Sequence, residues 1–172
     1  MIEFLWLGRG GQGAFTAAKL LGAAYALKGD MHYSLAFPAF GPERRGAPVR
    51  AFTKIDSRPV RDRSEIDKAD YIVILDETLY SNDLQIKLKP SGKILVNSRS
   101  ISGEKIVPFD GESFAKQLHL PTVNTVMLGA ASAISDVISA EELIGAVDGY
   151  MPEKIRDKNK QAILRAVSEV IG

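Results

Sequence analysis

With 172 residues, 45% of them hydrophobic and 25% charged, the chain has the size and composition of one soluble globular domain, 1–172, that can bury its own core. It has no cysteine and only two histidines, His32 and His119, set far apart, so this chain alone supplies neither the thiolates of an iron–sulfur cluster nor a tetrahedral zinc site. A formal net charge of +1 excludes a general attraction to nucleic acid, and the lack of a long charge-free apolar stretch or a basic leader points away from the membrane and toward the cytoplasm.

Residues 2–7 form a short apolar run that stops at a glycine cluster, and strong helix formers follow over 14–27. The order is strand, tight turn, helix. This helix is apolar nearly all round, which requires cover on more than one side. A second strand is predicted over 31–37. A third runs through Val49, Ala51, Thr53 and Ile55, with Arg50 and Lys54 on the opposite face, an alternation that predicts a half-exposed strand. The continuous apolar run 71–75 reads as a central parallel strand, followed by a helix near 79–87 and a turn at Pro90, Ser91 and Gly92. Strands over 93–96 and 105–109, helices near 113–118, 126–137 and 141–147, and a last amphipathic helix over 153–171 complete the pattern. The expected fold is α/β: a single doubly wound, mostly parallel open sheet, Rossmann-like, with a C-terminal helix.

Gly8, Gly10 and Gly13 satisfy GxGxxG directly after a strand and before a helix, with Gly11 as a further permissive position and Gln12 as an amide donor. In such a turn the first glycine permits the bend and the second lets a phosphate approach the backbone. The third packs helix against strand, and the helix N-terminus offers free N–H groups and a positive dipole. The alternative is a glycine turn that merely links two closely packed elements. A dinucleotide site would also want an acid near the end of the second strand, where this chain has Phe37, Pro38, Ala39 and Phe40. NADP or coenzyme A, each with a ribose phosphate, remain open from the loop alone.

The segment after the second strand, Phe40 to Val49, combines two prolines and two glycines with the adjacent Arg44 and Arg45. Between Glu43 and Arg63 seven cations face three carboxylates, a local excess of four in an otherwise balanced chain. Arginine's planar fork suits carboxylate or phosphate, so this is an anion-site candidate; a solvated basic loop is the simpler alternative.

The GRGGQG turn followed by GPERRGAPV, together with residues 70–75, the LKPSGKILVNS segment, NTVMLGA from Asn124, and Asn159 with Ala162, resembles the gamma subunit of pyruvate and related 2-oxoacid:ferredoxin oxidoreductases along nearly the whole chain. The resemblance implies a subunit, inactive alone, of an enzyme that converts a 2-oxoacid and coenzyme A to acyl-CoA, carbon dioxide and reduced ferredoxin. It further implies companion alpha, beta and delta-type subunits that hold thiamine diphosphate and iron–sulfur clusters, with this chain helping to bind coenzyme A and to close the site. The cofactor-binding candidates are then Gly8, Gly10, Gly11, Gln12, Gly13, Arg44, Arg45 and Asn124; no catalytic or metal-binding residue is assigned. A nucleotide-sensing module and a free-standing NADP-dependent reductase are the competing readings.

Three smaller features carry bland expectations. Asn124 stands where a helix N-cap belongs. Asp76 and Glu77 end the central strand at the ligand-binding edge of such sheets, yet also suit the first turn of a helix. Asn159 lies on the apolar stripe of the last helix, where a buried amide is expected to tie the helix to a neighbouring loop in preference to touching a ligand.

Overall fold

The computed structural model describes residues 1–39 and 44–172. Among these, six strands form one sheet: β1 (Ile2–Arg9), β2 (Tyr33–Pro38), β3 (Pro48–Asp56), β4 (Ala69–Ile74), β5 (Leu88–Asn97) and β6 (Ile106–Phe109). Their order is β2-β3-β1-β4-β5-β6. β1, β4, β5 and β6 are mutually parallel, whereas β3 runs antiparallel to both β1 and β2. The α-helices are α1 (Ala14–Ala26), α2 (Gly111–Gln117), α3 (Asn124–Ser135), α4 (Ala140–Tyr150) and α5 (Glu153–Ile171). The α/β reading, a mostly parallel open sheet with a C-terminal helix, is borne out. No helix of the described residues is long and apolar enough to cross a membrane.

Strand alternation divides the core in two. Phe4, Trp6, Val73, Leu75 and Leu95 face the layer of α-helices, and Leu5, Leu7, Ile72, Ile74, Ile94 and Val96 face the other way. That second face is covered by irregular chain carrying Ile66, Leu79, Leu84 and Ile101. The helix predicted near 79–87 is two short 3₁₀ turns, Glu77–Leu79 and Asn82–Lys87, interrupted where Tyr80 and Ser81 turn extended. Asn82 and Asp83 offer the backbone local hydrogen-bond alternatives, and so short a segment gains too little from packing to offset helix nucleation.

β3 also departs from expectation, being buried on both faces. Lys54, expected to be solvated, is 1% exposed: its ammonium donates to the Ser64 carbonyl at 2.7 Å and pairs with Asp62 at 3.2 Å. Residues 57–68 fold across the strand as a strap, and Arg50 holds the same strap through Glu65 at 2.9 Å. Hydrogen bonds from Ser64, with a further one from Lys54, pull the Asp62 carboxyl down to about 2. The turn predicted at Pro90 to Gly92 lies inside β5, where the pairing with β4 shifts register between Ala69 and Tyr71. A Cβ on Gly92 would sit 3.0 Å from both the Ala69 and Asp70 carbonyls, so glycine serves a close strand approach there.

Helix and sheet are joined by polar as well as apolar contacts. The Trp6 indole donates to Thr53 Oγ1 at 3.1 Å, and Thr53 in turn donates to the Ala18 carbonyl at 2.8 Å, so a fully buried Trp6 leaves no orphan donor. α3 and α5 pack closely because both present small residues: a Cβ on Gly129 would lie 2.8 Å from the Ile163 carbonyl oxygen. Beside this contact Thr125 donates to Asn159 Oδ1 at 2.6 Å, and Asn159 Nδ2 donates to the Ile155 carbonyl at 2.7 Å. The buried Asn159 thus ties α5 to α3: the role is structural, as expected, but the partner is a helix and not a neighbouring loop.

Two glycine substitutions should therefore have opposite signs. Gly129→Ala forces backbone apart and should destabilise by about 1–3 kcal/mol, while Gly149→Ala, whose Cβ meets nothing within 4 Å in α4, should stabilise by about 0.5–1 kcal/mol. Urea denaturation of both variants reads the difference; equal midpoints would show that the α3–α5 contact yields freely.

Candidate functional site

The carboxyl ends of parallel strands collect ligands where the strand order reverses direction. Here that point lies between β1, whose chain continues through α1 toward β2, and its neighbour β4. The glycine turn occupies it. Gly13 takes φ +82° at the N-cap of α1, and no side chain caps the helix, so the first-turn N–H groups carry their dipole toward the turn. Gly11, at φ +91°, has open space where a side chain would be.

Gly10 behaves differently. A Cβ there would collide with the Arg44 carbonyl oxygen. The Gly10 N–H donates to the Ala47 carbonyl at 2.8 Å, and the Gly46 N–H donates to the Gly10 carbonyl at 3.2 Å, so the loop of residues 44–47 is laid directly on the turn. The close approach that the second glycine permits is thus made by the chain's own backbone. Phe40 and residues 41–43, the start of the GPERRGAPV segment, lie outside the described residues.

Two hollows open on either side of this junction. One, of about 360 Å³, is lined by Gly10, Gly11, Gln12, Arg45, Lys116 and Thr122 among others. The other, of about 290 Å³, lies against the N-terminus of α1 and includes Gly13, Ala14, Thr16 and Arg50. A third, of about 540 Å³, continues from Gln12 and Lys116 along the ends of β4 and β5 through Asp76, Thr78, Asn97 and Ser98.

Of the sequence candidates, Gly10, Gly11, Gln12 and Arg45 share the first hollow. Arg44 is exposed and contributes its carbonyl to the junction. Gly8 lies beneath, where a Cβ would stand 3.2 Å from Leu75 Cδ1, and Gly13 abuts the Asn124 side chain. Asn124 is not the N-cap of α3: Val123 holds that position without a side-chain bond. Asn124 instead sits in the first turn, donates to the Gly13 carbonyl at 3.3 Å and accepts from Thr122 at 2.7 Å, fastening α3 to the base of the glycine turn. The side-chain oxygen that would cap a helix is taken by the Thr122 hydroxyl, and the amide N–H reaches the Gly13 carbonyl because α3 begins against α1.

Sequence reasoning missed Arg9 and Lys116. Arg9 fills a variable position of the glycine motif, and Lys116 comes from α2, far off in sequence; neither carries a local signal. The Gln12 side chain bridges Arg9 and the strand end, accepting from the Arg9 N–H at 2.7 Å and donating to Asp76 at 3.3 Å. Asp76 caps the first 3₁₀ turn by accepting from the Thr78 N–H at 3.0 Å, in line with the helix-start role expected of it.

Residues 3–169 match the family model described as pyruvate ferredoxin/flavodoxin oxidoreductase. The chain belongs to that family. It is 45% identical over 167 residues to the pyruvate synthase subunit PorC of Methanothermobacter marburgensis, covering 94% of this chain and 93% of the relative. It is 37% identical over 183 residues to the common gamma subunit of the pyruvate/ketoisovalerate oxidoreductases of Thermococcus litoralis, covering 99% and 98%. The crystal structure of the pyruvate oxidoreductase subunit PORC from Thermotoga maritima superposes with a TM-score of 0.81 at 32% identity, over 97% of this chain and 95% of that one. The chain is a gamma-type member of this oxidoreductase family.

Within this member, charge holds the glycine turn to β4. Partial burial works against ionisation of Asp76, but hydrogen bonds from the Thr78 hydroxyl and amide and from Gln12, with Arg9 alongside, outweigh it and lower the carboxyl below its usual range. A depressed folded-state value stabilises the fold above the unfolded value of about 3.9 and loses that contribution as pH falls through the folded value. Asp76→Asn should therefore lower stability at neutral pH and flatten the acid limb of the stability–pH curve below about pH 4. An acid limb unchanged from the wild type, measured by thermal melting, would contradict this.

Proposed function

We propose that this chain acts as the gamma subunit of a cytoplasmic 2-oxoacid:ferredoxin oxidoreductase, with pyruvate as the favoured 2-oxoacid, and that its own part is to hold the phosphates of coenzyme A and help close the reaction site. Companion alpha, beta and delta-type subunits would carry thiamine diphosphate and the iron–sulfur clusters, which a chain without cysteine does not ligate by itself. The reaction would join the acyl group of the 2-oxoacid to the thiol of coenzyme A, with release of carbon dioxide and transfer of electrons to ferredoxin.

The observation that carries this reading is the placement of Arg45 and an uncapped helix N-terminus around one glycine turn. Coenzyme A brings a pyrophosphate and a ribose phosphate, and the turn offers fixed N–H dipoles, open space at Gly11 and a guanidinium fork. Arg45 and Lys116 line the same hollow, and among the described residues neither has a carboxylate partner. Closure against a companion subunit would exclude water from a reactive acyl intermediate. The sheet order speaks against a free-standing dinucleotide reductase: β3 separates β1 from β2, so the end of β2 is two strands away from the glycine turn and supplies no ribose-binding acid.

Arg44→Ala and Arg45→Ala, each assayed in the assembled complex, test the proposal. Loss of one charge-assisted contact should raise the coenzyme A Michaelis constant roughly ten- to a hundredfold, equivalent to about 1.5–3 kcal/mol, with Arg45→Ala the larger effect. Normal coenzyme A kinetics with weakened association on gel filtration would place the arginines at the subunit junction. No change in kinetics or assembly would leave the loop an ordinary solvated one and remove the reading.

A further inference from the structure

Arg9 reaches three residues on two separate pieces of chain. Its Nη1 donates to the Gly46 carbonyl at 3.1 Å, its Nη2 donates to Thr78 Oγ1 at 2.9 Å, and its Nε stands 3.4 Å from Asp76 Oδ2. The acceptors are themselves joined, since Thr78 Oγ1 donates to Asp76 Oδ1 at 2.6 Å and Gln12 links Asp76 back to the Arg9 backbone. One guanidinium therefore spans from the basic loop to the end of β4.

We propose that Arg9 is a positioning residue, a clasp that fixes residues 44–47 over the glycine turn and so sets where Arg45 stands; the consequence for coenzyme A rests on the reading above. The backbone bonds between Gly10, Gly46 and Ala47 attach the loop along one line, at the end of β1. Attachment along a single line leaves the loop free to rock about it. The Arg9 bridge adds a second attachment on the neighbouring strand, which removes that freedom. The planar fork meets the Gly46 carbonyl and the Thr78 hydroxyl from separate nitrogens with its Nε beside Asp76, whereas the three donors of a lysine radiate from one point and span less of the gap. The glycine motif itself does not call for arginine at this position, so the side chain answers to the loop and not to the turn.

The test is hydrogen–deuterium exchange at Gly10 and across residues 44–48 in the assembled complex, with coenzyme A kinetics on the same preparations. The Gly46 amide, bonded to the Gly10 carbonyl, and the Gly10 amide, bonded to the Ala47 carbonyl, report whether the loop lifts. Arg9→Gln should speed their exchange roughly ten- to a hundredfold, with Arg9→Lys in between. The coenzyme A Michaelis constant should rise while the turnover number is kept, and adding Arg45→Ala to Arg9→Gln should raise it little further, because both act on the same guanidinium. Unchanged exchange in Arg9→Gln overturns the clasp whatever the kinetics show. Faster exchange with an unchanged Michaelis constant keeps the clasp and removes the coenzyme A reading. Should Arg9→Gln fail to assemble, Thr78→Val deletes one anchor while leaving the guanidinium in place, and the same exchange criterion applies.

Discussion

The two-way backbone pairing between Gly10 and residues 44–47 is the constraint on which the rest of the site depends. It exists because Gly10 has no Cβ, and any side chain there would run into the Arg44 carbonyl. Two consecutive features of the sequence, a glycine motif and a basic loop some thirty residues later, become one object through two hydrogen bonds. Backbone bonds of this kind contribute only about 0.5–1.5 kcal/mol each to stability. Their importance here is geometric: they hold Arg45 on the wall of a hollow beside the glycine turn that leads into an uncapped helix N-terminus.

The sheet makes that pairing possible. Because β3 returns antiparallel beside β1, the loop that precedes β3 arrives at the carboxyl end of β1, on the ligand-binding edge. The Lys54–Asp62 pair and the Arg50–Glu65 pair then hold the strap of residues 57–68 over the face of β3, which keeps Phe52 and Phe37 dry and the strand rigid. Of these charges only Lys54 is buried; Arg50, Glu65 and Asp62 are exposed, so the Arg50–Glu65 pair contributes little by itself. On the other face, the Trp6, Thr53 and Ala18 relay locks α1 to the sheet, so the helix whose N-terminus forms the site cannot tilt independently of β1.

Much of this was legible in the residues. The continuous apolar runs over 2–7 and 71–75 marked the central strands, and the glycine motif marked the turn, since both signals are local in sequence. What was not legible depends on chain far away. The burial of Lys54 needs a strap contributed by later residues, and the alternation that exposes Arg50 reads the same for both. Asn124 has the identity of a helix cap, but it stands in the first turn, where the Gly13 carbonyl, far off in sequence, takes its amide. Gly92 looked like a turn beside Pro90, yet it serves a strand irregularity set by β4. Arg9 and Lys116 carry no motif, and only the assembled turn shows what they face.

The most direct test of the central claim, that the turn and the loop laid on it form one anion site, is hydrogen–deuterium exchange of the assembled complex with and without coenzyme A. Slowed exchange is expected together in residues 10–16 and 44–47, and it should be lost when a coenzyme A fragment lacking the phosphates replaces the whole molecule. Slowed exchange elsewhere in this chain, or in companion subunits only, would contradict the assignment of the site.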